Sequence, residues 1–230
     1  MNDVYTKFYN AFIIKDRWKL YISGLGITLE IALLAGIIGI IIGCLVALMK
    51  LSEPRKGHKH SWMWYIATAY VDIIRGTPSV LQLLIMWFIV FSSSKNGVLV
   101  ASLSFGINSG AYVSEIIRAG ILAVDRGQME AGRSLGLSKA QTMKEIVLPQ
   151  AFKNVLPPIG NEFITLIKET AIVGYVSLSD LTRVASQISS RTYEAFMPLI
   201  GAAVIYFVLI KILTLLLEAF ERRLRRSDIR

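Results

Sequence analysis

The sequence predicts an all-α integral membrane protein with five transmembrane helices, the N-terminus outside and the C-terminus cytoplasmic. Three observations carry this. Of 230 residues, 54% are hydrophobic and the mean hydropathy is +0.55, above the roughly 45–50% apolar content of soluble domains. Several apolar runs reach the roughly 20 residues that a helix needs to cross a bilayer. The formal charge of +9 collects between those runs, with thirteen Lys and Arg in segments assigned to the cytoplasm and seven outside, the bias that orients membrane chains. Four basic residues near the N-terminus oppose that bias and do not reverse it.

The first span is Leu25 to Met49, with Glu30 its one formal charge. The segment before it mixes acidic and basic residues, which does not suit a cleavable signal, so this span is expected to be retained. Gly36, Gly39, Gly43 and Ala47 recur at helical spacing and contain a GxxxG, which lets another helix approach closely. Cys44 is expected to be packing. A basic loop, Lys50 to Ser61, carries Lys50, Arg55, Lys56 and Lys59 against Glu53. Its His58 and His60 lack the further ligands a metal site needs.

From Trp62 the chain is amphipathic to "RGTP", Arg75 to Pro78, then apolar through Phe91. Arg75 is expected at a helix start, entering the bilayer from the interface beside Pro78. Ser92 to Gly97 forms a short outer loop. The third span, Val98 to Val124, carries Ser104, Asn108, Tyr112 and Glu115 on one helical stripe with Arg118 at its edge, and such a stripe must face protein or water. The fourth, Leu156 to Val176, is expected to hold Pro157 and Pro158 in its first turn and Asn161, Glu162, Thr165, Lys168 and Glu169 on one arc. A polar outer connection, Ser177 to Ala195, leads to the fifth span, Phe196 to Ala219, and a tail with Arg222, Arg223, Arg225, Arg226 and Arg230. Residues 1–230 read as a single domain. The positive charge comes without a base-stacking or groove-reading pattern, so no nucleic acid is expected as a partner.

The cytoplasmic segment of about residues 125–150, "DRGQMEAGRSLGLSKAQTMKEIVLPQ", reads as a short soluble helix pair. Asp125 and Gln128 have N-cap and N3 spacing. Gly136 is placed to end the first helix in a left-handed conformation. Ser138 and Gln141 cap a second helix, which Pro149 is expected to stop. Ala131 and Gly132 offer little apolar area, and such small residues permit close seating in a groove of another protein.

Glu130-Ala131-Gly132, then Gly136, Ile146 and Leu148-Pro149, resemble the EAA motif of importer-type ABC transporter permeases, with glycine for alanine at its third position. "IRGTPSVLQ" from Ile74, "INSGAYVSEIIRAGI" from Ile107 and "LPPIGNEFITLIKETAIVGYV" from Leu156 extend the resemblance to the polar amino-acid permease branch over most of the chain. The resemblance implies the type I importer permease fold, a prokaryotic cytoplasmic membrane location, and a coupling helix over Glu130 to Gly136 seated in an ATP-hydrolysing subunit. It further implies a second permease (the same or a sister chain), a dimer of ATPase subunits and an extracytoplasmic amino-acid-binding protein. The chain holds no G-x-x-x-x-G-K-[ST] loop, so ATP and Mg are expected on the partner ATPase, with no cofactor or metal on this chain. Transport by alternating access, not catalysis, is the expected activity.

An α-amino acid needs an acceptor for its ammonium and a donor for its carboxylate. Glu115, Glu162 or Glu169 is a candidate acceptor, and Lys168, Arg118 or Asn161 a candidate donor. At about 1.5 Å per residue, Glu115 is expected roughly 13 Å from the inner end of its span and Lys168 roughly 17 Å beyond Pro157, both near mid-membrane. The bland alternative makes Lys168 with Glu169, or Glu115 with Arg118, a structural ion pair. An ATP-independent channel for small polar solutes is the competing function, since polar stripes can line a pore. A membrane enzyme finds no support in the motifs, because neither an intramembrane His pair nor a zinc-ligand spacing is present.

Overall fold

Glycine and alanine determine where the long helices of this chain approach one another. The computed structural model describes residues 2–51 and 61–225. Glu53, Arg55, Lys56, His58, Lys59 and His60 of the basic loop, and Arg226 and Arg230 of the tail, lie outside the described residues. Among those described there is no strand. Ten α-helices follow in order: α1 (Asn2–Phe8), α2 (Arg17–Lys50), α3 (Trp62–Arg75), α4 (Ser79–Ile85), α5 (Gly97–Leu122), α6 (Arg126–Ser134), α7 (Lys139–Thr142), α8 (Leu148–Glu169), α9 (Leu181–Thr192) and α10 (Phe196–Arg225). π-helical turns at Tyr9–Ile13, Met86–Val90 and Met143–Val147, and 3₁₀ turns at Ile14–Asp16 and Thr170–Val176, extend or join them.

Three helical segments among the described residues are long and apolar enough to cross a membrane: Asp3–Lys50, Gly97–Leu122 and Phe196–Leu224. The pair Trp62–Arg75 and Ser79–Val90, bent by 105°, makes a fourth if counted as one span. α8 is not among them, since Asn161, Glu162, Thr165, Lys168 and Glu169 dilute its apolar character. The bend corrects the expectation for Arg75, which ends α3 instead of starting a helix. Gly76 closes that helix with its N–H on Asp72 O at 2.9 Å, and Pro78 occupies the N-cap of α4. Proline biases the preceding residue away from helix, so the break falls at residues 76–78.

The chain divides into two compact units, and α2, α5, α8 and α10 contribute residues to both. The first comprises Met1–Gly36, Pro78–Phe105 and Phe163–Leu215. Its core gathers Ile31, Ala35, Leu83, Phe105, Leu166 and Ile167, and a second cluster joins Tyr21 to Leu181, Ala185, Ile188 and Ala202. Asp180, fully buried, caps α9 by accepting from Thr182 N at 2.9 Å and Arg183 N at 3.0 Å. α9 lies in the connection that the sequence presents as merely polar. Its Leu181, Val184, Ala185 and Ile188 form a buried face at helical spacing that charge content alone conceals.

The second unit comprises Ile37–Thr77, Gly106–Glu162 and Leu216–Arg230. Val46, Ala67, Val71 and Ala111 form its core. The GxxxG of α2 packs as expected. A Cβ on Gly39 would fall 3.0 Å from Ser109 Cβ, and one on Gly43 2.7 Å from Val113 Cβ. Gly110 of α5 reciprocates against Ile42 and Tyr70, and the Tyr70 hydroxyl donates to Ile107 O at 2.5 Å.

Prolines behave differently from the sequence expectation. Pro149 does not stop the second cytoplasmic helix, because α7, the π-turn Met143–Val147 and α8 run on without a break. The π-turn shifts the pairing, with Leu148 N bonded to Met143 O, and Pro149 directly follows that turn, where the regular i→i−4 pairing is already interrupted. Pro157 and Pro158 lie inside α8, not in its first turn. Interior proline removes a backbone bond and clashes with the preceding turn, so the helix carries that cost at two consecutive positions.

Candidate functional site

The α6–α7 hairpin is built from local signals. Asp125 caps α6 by accepting from Gly127 N at 2.6 Å. Gln128 does not complete the expected capping box, since its Oε1 accepts instead from Gln150 Nε2 at 3.2 Å. At the other end Gly136 takes φ +87. Its N–H bonds Arg133 O and the Leu137 N–H bonds Gly132 O, each at 3.1 Å, which is the Schellman closure. Ser138 and Gln141 then form a full capping box for α7.

Gly132 is buried, and a Cβ there would collide with Thr142 Cγ2 and lie 2.9 Å from Thr142 Oγ1 and 3.0 Å from Ile146 Cδ1. Its small size therefore serves the seating of α6 on its own hairpin, a correction to the expectation that it faces a partner. Glu130, Ala131, Ser134 and Leu135 are exposed. Leu135, which sequence reasoning missed, is 81% exposed.

On α5 the polar stripe faces protein. Ser104 and Asn108 are buried, and Tyr112 carries the Arg75 guanidinium 5.2 Å from its ring centroid. Glu115 accepts from Lys50 Nζ at 2.5 Å through Oε1 and from Arg118 Nη2 at 3.1 Å through Oε2. The pair Glu115–Arg118 is thus formed, as its structural reading expected. Lys50 is the last residue of α2, so Glu115 stands within a lysine side chain's reach of that helix end. In the sequence Lys50 reads as a loop charge, yet a lysine directly after an apolar run can fold its stem back along the helix.

On α8, Glu162 is half-buried and its Oε1 accepts from Ser109 Oγ at 2.9 Å. Ser109 was also missed, because it lies off the stripe that runs through Asn108 and Tyr112. Asn161 and Lys168 are exposed and Glu169 is half-buried. Lys168 and Glu169 belong to the first compact unit, whereas Glu115, Arg118, Asn161 and Glu162 belong to the second. Two of the expected residues, Glu115 and Arg118, are therefore brought into direct contact.

Comparison with known proteins accords with this layout. Residues 39–226 match the family described as binding-protein-dependent transport system inner membrane component. The arginine transport system permease protein ArtQ of Bacillus subtilis (strain 168) is 46% identical over 212 residues, covering 90% of this chain and 93% of that protein. A glutamine transport system permease protein GlnP of Rickettsia bellii, whose assignment is itself putative, is 40% identical over 93% of this chain and 97% of that protein. Among solved structures, an amino acid ABC transporter crystallised with histidines matches at a TM-score of 0.81 and 45% identity, over 89% of this chain and 94% of that one. By the span of the family match and the identity of these relatives, the chain belongs to the binding-protein-dependent transport system inner membrane components, the permeases of ABC transporters.

Proposed function

We propose that this chain is the permease subunit of an ATP-driven importer that moves polar amino acids across a prokaryotic cytoplasmic membrane by alternating access. The observation that carries the reading is the α6–α7 hairpin: a rigidly capped helix with Glu130, Ala131 and Leu135 exposed and Gly132 tucked inward. A short exposed helix held by caps at both ends is suited to transmit force from a partner's cleft. The names of the relatives, permeases for arginine and for glutamine, support the substrate class.

In this reading the 230 residues act as one permease domain that crosses five times, with α8 as the fourth crossing, the N-terminus outside and the hairpin inside. Four long helices shared by both compact units support treating the chain as one working part. A second permease, two ATPase subunits that bind ATP and Mg, and an extracytoplasmic binding protein complete the transporter. Glu130 to Gly136 couples to the ATPase. Of the candidate substrate contacts Glu115, Arg118, Asn161, Glu162, Lys168 and Glu169, Glu162 is the strongest, because it is half-buried against a neutral hydroxyl. Both oxygens of Glu115 are already engaged by cations.

The test is uptake of radiolabelled arginine and glutamine into proteoliposomes that hold the chain with its ATPase and binding protein. ATP-dependent accumulation, abolished by omitting either partner, is the expected result. Nucleotide-independent conductance by the chain alone would replace the importer with a channel.

A further inference from the structure

The N-terminal segment has features that transport does not use. Lys15 and Asp16 both adopt left-handed backbone, φ 53 and 54, a conformation that costs a non-glycine residue about 1–2 kcal/mol. Two in succession turn the chain sharply between the π-turn Tyr9–Ile13 and α2. The Arg17 guanidinium donates to Asn10 O and holds the turn closed. Phe12 is thereby laid over Gly201 of α10, where any Cβ would collide with its ring. The fold thus uses strain, a charge-assisted hydrogen bond and a glycine to hold one aromatic side chain in place.

The result is a groove of about 290 Å³ lined by Phe12, Trp18, Tyr21, Ile22, Leu25 and Ile205. The lining is wholly apolar or aromatic. An aromatic row leads into it, with Phe8 and Phe12 centroids 5.0 Å apart and Phe12 and Tyr21 5.2 Å apart. In sequence Lys15, Arg17 and Lys19 bracket the groove-lining Trp18 and form its rim, with Asp16 the one acid among them and paired to Lys19, so that Lys15 and Arg17 leave the positive charge in excess. Lys19 Nζ lies 2.7 Å from that acid and 5.5 Å from the centroid of the Trp18 ring. Ile22 and Leu33 of α2 are likewise apolar and exposed.

Aromatic rings with polar edges settle at the level of lipid headgroups, and Lys and Arg beside them favour anionic lipid. We infer that this groove is a binding site for one anionic phospholipid, its acyl chain along Tyr21, Leu25 and Ile205 and its phosphate at the Lys15–Arg17–Lys19 rim. Charge selects the occupant: a zwitterionic lipid fits the groove equally well but gains less at a rim with cations in excess. The groove opens onto surface already immersed in lipid, so no separate delivery step is required. An occupied groove fastens the N-terminal segment to α10, which gives the strained turn a purpose that substrate passage does not.

The test uses the co-purified transporter complex in phosphatidylcholine nanodiscs doped with phosphatidylglycerol that carries a photoactivatable diazirine in mid-chain. Adducts are expected on the peptides containing Phe12 to Leu25 and Ile205, exceeding those from diazirine phosphatidylcholine by about fivefold for each rim cation engaged. Leu25→Trp, which fills the groove, is expected to remove them. Lys15→Gln combined with Lys19→Gln is expected to erase the difference between the two lipids while adducts persist. Equal labelling by both lipids in the unmodified protein, or labelling spread evenly along α2 and α10, would overturn the assignment whether or not the Leu25→Trp protein folds.

Discussion

The ammonium of Lys50 lies 2.5 Å from Oε1 of Glu115, binding the last residue of α2 to the C-terminal third of α5. Their side chains are 11% and 22% exposed, so water screens the pair little. Removing one partner of such a pair leaves a charge in a poorly solvated place, at a cost of about 1–3 kcal/mol. Arg118 remains to compensate Glu115, which sets the Lys50→Met loss toward the lower end. Thermal unfolding of Lys50→Met, Glu115→Gln and the double variant is expected to yield a favourable coupling energy. A coupling energy near zero would show the contact to be energetically idle.

Gly132 and Thr142 form the seat of the hairpin. Gly132→Ala drives a methyl into Thr142 Cγ2, with Thr142 Oγ1 and Ile146 Cδ1 2.9 and 3.0 Å away, and overpacking of this kind costs about 1–3 kcal/mol. Pairing it with Thr142→Ser deletes the methyl group that crowds the site and is expected to recover much of the loss, read by proteolysis of the 125–150 segment. Ala131→Trp, on the exposed side, is expected to leave proteolysis unchanged while lowering ATP-coupled uptake. Equal proteolytic sensitivity of Gly132→Ala and the unmodified protein would contradict the packing assignment.

What the sequence disclosed and what it hid divide by range. The GxxxG contacts of α2, the Gly136 turn and the Ser138–Gln141 box were legible because each depends on spacing within a turn or two of helix. The pairings of Lys50 with Glu115 and of Ser109 with Glu162 span 65 and 53 residues, and no local periodicity encodes them. Proline misled for a related reason. Its effect depends on whether the preceding turn can shift register, and the π-turn Met143–Val147 before Pro149 leaves no composition signal. Gly132 carried the right signal, a small residue for close approach, but the sequence could not say whether its own hairpin or another chain makes that approach.

Gly136 carries the one positive φ among the described glycines, +87. A side chain there must adopt left-handed backbone, which costs roughly 1–2 kcal/mol for alanine and less for asparagine. Gly136→Ala is therefore expected to loosen the turn measurably in amide exchange at Gly136 and Leu137, whose N–H groups close the Schellman motif, and Gly136→Asn to loosen it less. Identical exchange in both variants would mean that φ does not govern this turn.

Asp180 is fully buried at the start of α9, and burial pushes its carboxyl above its ordinary 3.8, against the opposing pull of the Thr182 and Arg183 amides. The folded state therefore holds the proton more tightly than the unfolded chain. That preference favours the fold at low pH and is lost as pH rises from the unfolded value through the raised folded one. Asp180→Asn retains a capping oxygen without the charge, so the stability of the unmodified protein relative to this variant is expected to fall over that interval and then level off. Asp180→Ala removes the cap as well and is expected to cost about 0.5–2 kcal/mol at neutral pH. The two substitutions separate capping from charge: thermal melts across pH that showed Asn and Ala equally destabilising would assign the whole effect to the lost carboxylate and none to the cap.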